Sequence, residues 1–176
     1  LAGLGEILNC SRLHPDVVAV VGLPVRLGCR MFNCAAVLSG GMVHGLVPKT
    51  YIPNYHEFYE KRWFSSGEDL HENQALLQIP GMPAQTVPVL PKALFALADG
   101  TAFGVEICED LWTPIPPSSI LALSGAEVIV NLSASNETIG KGAYRRELVT
   151  HQSAAAACVY AYASAGAGES PQDLIF

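Results

Sequence analysis

The apolar positions of this chain fall into short runs punctuated by Gly, Pro and Asn, and the punctuation predicts the elements. Residues 16–24 form a continuous, β-branched run after Pro15, which suits a strand buried on both faces better than a helix. Residues 33–38 and 42–47 flank Ser39-Gly40-Gly41, which predicts two strands joined by a tight turn. Residues 93–97 and 101–108, separated by a turn at Asp99-Gly100, predict a second hairpin. Ser118-Ser119 reads as the N-cap of an apolar segment, 120–124, that Gly125 ends, and residues 127–132 resume as a buried strand. Residues 144–157 are rich in Arg, Glu, Gln and Ala, with Leu148 and Val149 on one side, and predict a helix; residues 159–163 then alternate as a strand does. The first residues, Leu1-Ala-Gly-Leu-Gly-Glu, have the texture of a helix interior. Pro80, Pro83, Pro88 and Pro91 forbid a long helix across 68–92. Strands interleaved with helices, together with hairpins, indicate an α/β layered sandwich with a mixed sheet.

Composition narrows this to a globular chain. Its 176 residues are 50% hydrophobic and 15% charged, with mean hydropathy +0.30. At about 100–200 residues per domain, that fits one core-rich unit. The formal net charge is −6, and the basic residues are scattered apart from the pairs Lys61-Arg62 and Arg145-Arg146, so no nucleic-acid partner is expected. No apolar run approaches the ~18 residues that span a bilayer, and no membrane partner is expected either. The start of the chain lacks the order of a secretory signal, and the five Cys match no zinc or redox spacing. Free thiols in a reducing cytoplasm are therefore expected, with no metal site.

Three segments could carry chemistry. In Gly104-Val-Glu-Ile-Cys-Glu-Asp-Leu-Trp112 an apolar strand ends abruptly in Cys108. A nucleophile at a strand-to-turn junction is held rigidly from below and open to substrate from above. A lone Cys there is more often core filling, and its flanking glutamates disfavour a thiolate unless a base and a cation are close. Lys49, which leads from a strand-like run into a Pro-, Asn- and aromatic-rich loop at 48–67, is a candidate cation for an oxyanion, although most lysines are simply exposed. Its neighbours Glu57 and Glu60 read as solvated or ion-paired carboxylates, either able to hold it. Finally, Asn131-Leu-Ser-Ala-Ser-Asn-Glu-Thr-Ile-Gly-Lys141 follows a buried strand, where Ser133, Ser135 and Lys141 could grip a polar ligand or merely form the turn into a helix beginning near Gly140. Gly140-Lys141-Gly142 lacks the upstream glycine of a phosphate loop.

Taken in order, Pro48-Lys-Thr-Tyr-Ile-Pro-Asn-Tyr-His-Glu-Phe-Tyr-Glu60, Val105-Glu-Ile-Cys-Glu-Asp-Leu-Trp-Thr-Pro114 and the 131–141 segment resemble the nitrilase (carbon–nitrogen hydrolase) superfamily. Within it they resemble the glutamine amidase domain of glutamine-dependent NAD synthetases, over about Val20 to Ser170. The resemblance implies an α/β fold, the nitrilase-like α-β-β-α sandwich, lacking its first strand or strands and its C-terminal part. Residues 1–176 are then a partial glutaminase domain, and the synthetase domain is absent. Cys108 is implied as the nucleophile that attacks the glutamine amide and passes through a thioester, and Lys49 as the lysine of a Glu-Lys-Cys triad. Tyr55, Ser135 and Lys141 stand at glutamine-binding positions. The triad glutamate belongs on a strand preceding these segments; Glu6 lies in a helix-like stretch without the family's context, and no residue is assigned that role. The glutaminase step implies no cofactor, while ATP and magnesium belong to the synthetase domain, which would take up the ammonia. A homo-oligomer is expected. The alternatives are another amidase of the superfamily or a non-catalytic scaffold of this fold.

Overall fold

In a computed structural model, which describes residues 1–166, the chain divides into two compact units, residues 1–91 and 92–176. Among the described residues, one apolar cluster lies in the first unit around Leu8, Phe32 and Leu46 and another in the second around Leu121 and Ile129, and the proline-rich connection ends at the boundary between the units.

The first unit opens with helix α1 (Ala2–Leu13), which buries Leu4 and Leu8. Strands β1 (Ala19–Leu27), β2 (Arg30–Ser39) and β3 (Met42–Pro48) follow as an antiparallel sheet in that order. The β2–β3 turn is the one the sequence predicts. Gly40 and Gly41 both take positive φ, +56° and +82°, as the mirror-image hairpin turn requires. The apolar run at 16–24 behaves differently from its prediction. It starts at Ala19, continues to Leu27 and forms an edge strand, mostly half-buried or exposed, rather than an interior one. Pro24 explains the position, because a residue without an N–H weakens an interior ladder but is tolerated at an edge. A two-stranded ribbon, β4 (Gln74–Leu77) and β5 (Gln85–Pro88), completes this core, with Leu46 bridged to Val89 just beyond it. Cys34 lies in that core, where burial pushes its thiol up to about 12.

The second unit carries a four-stranded sheet in the order β6 (Leu94–Ala96), β7 (Ala102–Ile107), β8 (Val128–Ser133), β9 (Val159–Ser164). β6 and β7 form the predicted hairpin, whereas β7–β8 and β8–β9 are parallel, joined through helices α2 (Pro117–Leu123) and α3 (Lys141–Ala156). Helix α2 starts earlier than the Ser118-Ser119 pair suggests. Pro116 is the cap residue and Pro117 the first helical position, where a missing N–H is harmless, so the serines lie inside the first turn. Strand β7 is buried on both faces, as parallel strands are, and Gly104 lets α2 approach: a β-carbon there would stand 2.8 Å from Leu121.

Candidate active site

In the first unit, the end of β3 delivers Lys49. Its N–H donates to the Asn33 carbonyl at 2.8 Å and its own carbonyl accepts from Gly67 N–H at 2.8 Å, so the backbone on both sides is fixed. Gly67 fits closely there, since a β-carbon would stand 3.1–3.2 Å from the Pro48 and Lys49 carbonyl oxygens, tighter than ordinary contact. Contrary to the habit of lysines, Lys49 is 1% exposed. Its ammonium meets both oxygens of Glu60 at 2.9 Å, from a 3-10 turn at Glu60–Arg62. A buried ammonium needs such a partner, and this contact selects Glu60 from the two carboxylates the sequence offered. Tyr55, in the same loop, is exposed and packs edge-on against His56 and Phe58.

In the second unit, Cys108 stands where β7 breaks into a 3-10 turn (Cys108–Trp112). Its φ is +49°, a left-handed conformation that a residue with a β-carbon holds at an expense of about 1–3 kcal/mol. Two buried side chains enforce it. Asp110 accepts from Ile107 N–H at 2.9 Å, and Asn131 of β8 accepts from Cys108 N–H at 3.2 Å. The thiol is half-buried, neither core filling nor fully open.

Below the cysteine runs a polar network that the sequence reading did not identify. Glu106 is 1% exposed and accepts from Ser118 N–H at 2.7 Å, Asn131 Nδ2 at 3.4 Å and the Tyr160 hydroxyl. Gln152 of α3 donates to the hydroxyls of Ser118 and Ser119, tying α3 to α2. The signal in the sequence was a carboxylate inside an otherwise apolar strand. Burial raises the Glu106 carboxyl above its ordinary 4.5, against the donors from Tyr160, Ser118 and Asn131. The same burial, with Glu106 beside it, raises the Tyr160 phenol, and Cys158, in the bend just before β9, is raised too. A carboxyl with a raised folded value contributes stability that is complete below its unfolded value near 4.5 and is lost as pH rises through the folded one. Denaturant midpoints measured upward from pH 4.5 should therefore fall less steeply in Glu106→Gln than in the parent; equal slopes would show that this carboxyl does not titrate there.

The strand β8 and the turn after it place Ser135 and Lys141. Ser135 is buried and its carbonyl accepts from Arg145 at 3.4 Å. Lys141, the first residue of α3, donates to Asn136 and lies 5.4 Å from the Trp112 ring centre. Arg145, one turn on, pairs with Glu137. Ser133, by contrast, donates to Asn131 at 2.7 Å and belongs to the network beneath Cys108. Tyr162 of β9 is a further neighbour: burial raises its phenol and the proximity of Cys108 adds to the rise. The second unit thus gathers Cys108, Ser135 and Lys141, while Lys49 and Tyr55 belong to the first. Glu6 lies exposed on α1. Among the described residues no cluster of His, Cys, Asp or Glu could hold a metal, and no helix is long and apolar enough to cross a membrane.

The family model described as carbon-nitrogen hydrolase matches residues 14–176. The glutamine-dependent NAD(+) synthetase of Mycobacterium leprae is 43% identical over 159 residues, which is 89% of this chain and 22% of that protein. The crystal structure of a glutamine-dependent NAD(+) synthetase from Cytophaga hutchinsonii superimposes with TM-score 0.71 at 27% identity, covering 93% of this chain and 26% of that one. The Acinetobacter baumannii glutamine-dependent NAD+ synthetase, solved with ADP, gives TM-score 0.71 at 25% identity over 98% of this chain and 28% of that one. The fold is therefore nitrilase-like α/β, and the chain spans 22% of the length of the first curated relative it matches.

Proposed function

The chain belongs to the carbon–nitrogen hydrolase family, and from that premise we propose that it is the glutamine-hydrolysing part of a glutamine-dependent NAD synthetase. The observation that carries the reading is Cys108, half-buried and left-handed at the end of β7, in a chain 43% identical to a protein of that name. Its sulfur attacks the side-chain amide carbon of glutamine, forming an S–C bond and a tetrahedral oxyanion. Collapse breaks the C–N bond, the leaving nitrogen takes the proton the thiol gave up and departs as ammonia, and a thioester remains; water then cleaves the S–C bond, giving its hydroxyl to glutamate and a proton back to the thiol. Cys108 N–H is already given to Asn131, so the backbone N–H that follows it, together with the Lys49 ammonium, is assigned to the oxyanion. Tyr55, Ser135 and Lys141 are assigned to glutamine, with Lys141 suited to its carboxylate. No carboxylate of the described residues is assigned as the general base. The ammonia is passed to a synthetase portion that uses ATP and magnesium to amidate deamido-NAD, and neither cofactor is assigned to these residues. A cytoplasmic setting is part of this reading, since the five cysteines match no disulfide or zinc spacing.

The test is a substrate panel on the full-length protein. Ammonia release from glutamine should exceed release from asparagine, simple nitriles and carbamoyl compounds by about tenfold or more, because a site that pairs glutamine's polar groups rejects analogues that lack them or, like asparagine, present them one methylene short. Preference for a nitrile or carbamoyl compound would overturn the assignment of substrate.

A further inference from the structure

Asn131 is fully buried, and every hydrogen-bonding position of its amide is used. Its oxygen accepts from Cys108 N–H at 3.2 Å and from the Ser133 hydroxyl at 2.7 Å. Its nitrogen donates to Glu106 Oε1 at 3.4 Å and to the Tyr160 hydroxyl at 3.0 Å. Asn131 and Glu106 are direct partners in the parallel β7–β8 register, so the two side chains meet on one face of the sheet. Turning the amide over would set its oxygen against the Glu106 carboxyl and its nitrogen against the Cys108 N–H. Glu106 therefore selects the orientation of Asn131, and that orientation puts an acceptor where the left-handed turn at Cys108 needs one. Glu106 is itself located by Ser118 N–H at 2.7 Å, from the first turn of α2.

We propose that Asn131 is a positioning residue for the nucleophile: its side-chain oxygen holds the Cys108 backbone in the turn that presents the sulfur, and Glu106 with Tyr160 holds Asn131. This rests on the reading of Cys108 as an amide-attacking nucleophile. A buried polar network that served folding alone could be replaced by apolar side chains of similar volume without a selective effect on the chemical step. A positioning role predicts a different pattern, since misplacing a reacting atom by about an ångström lowers the rate on the order of 10²-fold.

The experiment compares Asn131→Leu, Asn131→Asp and the swap Asn131→Asp with Glu106→Gln, in the full-length protein. In both single variants kcat for glutamine should fall on the order of 10²-fold while KM stays within a few-fold, the signature of an interaction lost in the transition state. Asn131→Asp keeps an acceptor for Cys108 but faces Glu106 with a second carboxyl; the swap restores one donor against one acceptor and should recover about tenfold or more of the lost kcat. Wild-type kcat in folded Asn131→Leu, or no recovery in the swap, overturns the proposal. If Asn131→Leu does not fold, the Asp variant and its rescue decide alone. Cys108→Ala separates the two readings. Ammonia release that survives it defeats the nucleophile assignment and the positioning role together, whereas Cys108-dependent release with unchanged kcat in the Asn131 variants defeats the positioning role only.

Discussion

Replacing Cys108 with alanine is expected to lower glutamine hydrolysis by the full-length protein about 10⁴-fold or more, because the covalent route disappears and only binding and oxyanion stabilisation remain. Little of that loss should come from unfolding. Cys108 is half-buried, its backbone contacts are made by N–H and not by the thiol, and alanine tolerates φ +49° about as poorly as cysteine does. A thermal midpoint close to the parent's, measured beside the activity, distinguishes lost chemistry from lost fold. Labelling offers a second readout. Cys10 and Cys29 are exposed and will react with any general alkylating agent, whereas Cys34 and Cys158 are buried and have raised thiols. A glutamine-shaped electrophile should mark Cys108 alone in peptide maps. Retained hydrolysis in Cys108→Ala, or labelling distributed over Cys10 and Cys29, would remove Cys108 from the mechanism.

What the sequence disclosed depended on how local the cause was. The hairpin at Gly40-Gly41 was legible because the turn chemistry lies in adjacent residues, and the same holds for the strand that ends at Cys108. The start of α2 was misread because serines compete with a nearby Pro-Pro pair for the first turn, and the fixed φ of Pro117 decides it. The edge position of β1 depends on which strand pairs with it, which an apolar run does not state. Of the candidate site, Cys108, Lys49, Tyr55, Ser135 and Lys141 were named through motif order. The Lys49–Glu60 contact, eleven residues apart across an irregular loop, was only one of two options. The Glu106–Asn131 contact was not legible at all, because it arises from parallel register between strands whose connection runs through a helix. A carboxylate at an alternate position of an apolar strand was the available hint.

The second large effect is expected at Lys49. Lys49→Met keeps the length and apolar stem of the side chain and deletes the ammonium, so kcat should fall about 10²–10³-fold, as when a group aimed at a developing oxyanion is removed. The structural side effect should be smaller. Glu60, left alone, keeps 26% of its side chain in solvent and can be hydrated, so the penalty of a fully buried orphan charge does not apply in full. Glu60→Gln separates the two functions of the pair: it retains a hydrogen-bond acceptor for the ammonium but removes the opposing charge, and should be less damaging than Lys49→Met. Lys49→Arg should not rescue, because Lys49 is only 1% exposed and a planar guanidinium cannot occupy the place of a compact ammonium without displacing Glu60. Steady-state kinetics on these variants, with thermal midpoints alongside, check the ordering. Lys49→Met activity within a few-fold of the parent would leave the pair as a buried ion bridge that shapes the loop after β3, with no part in stabilising the oxyanion.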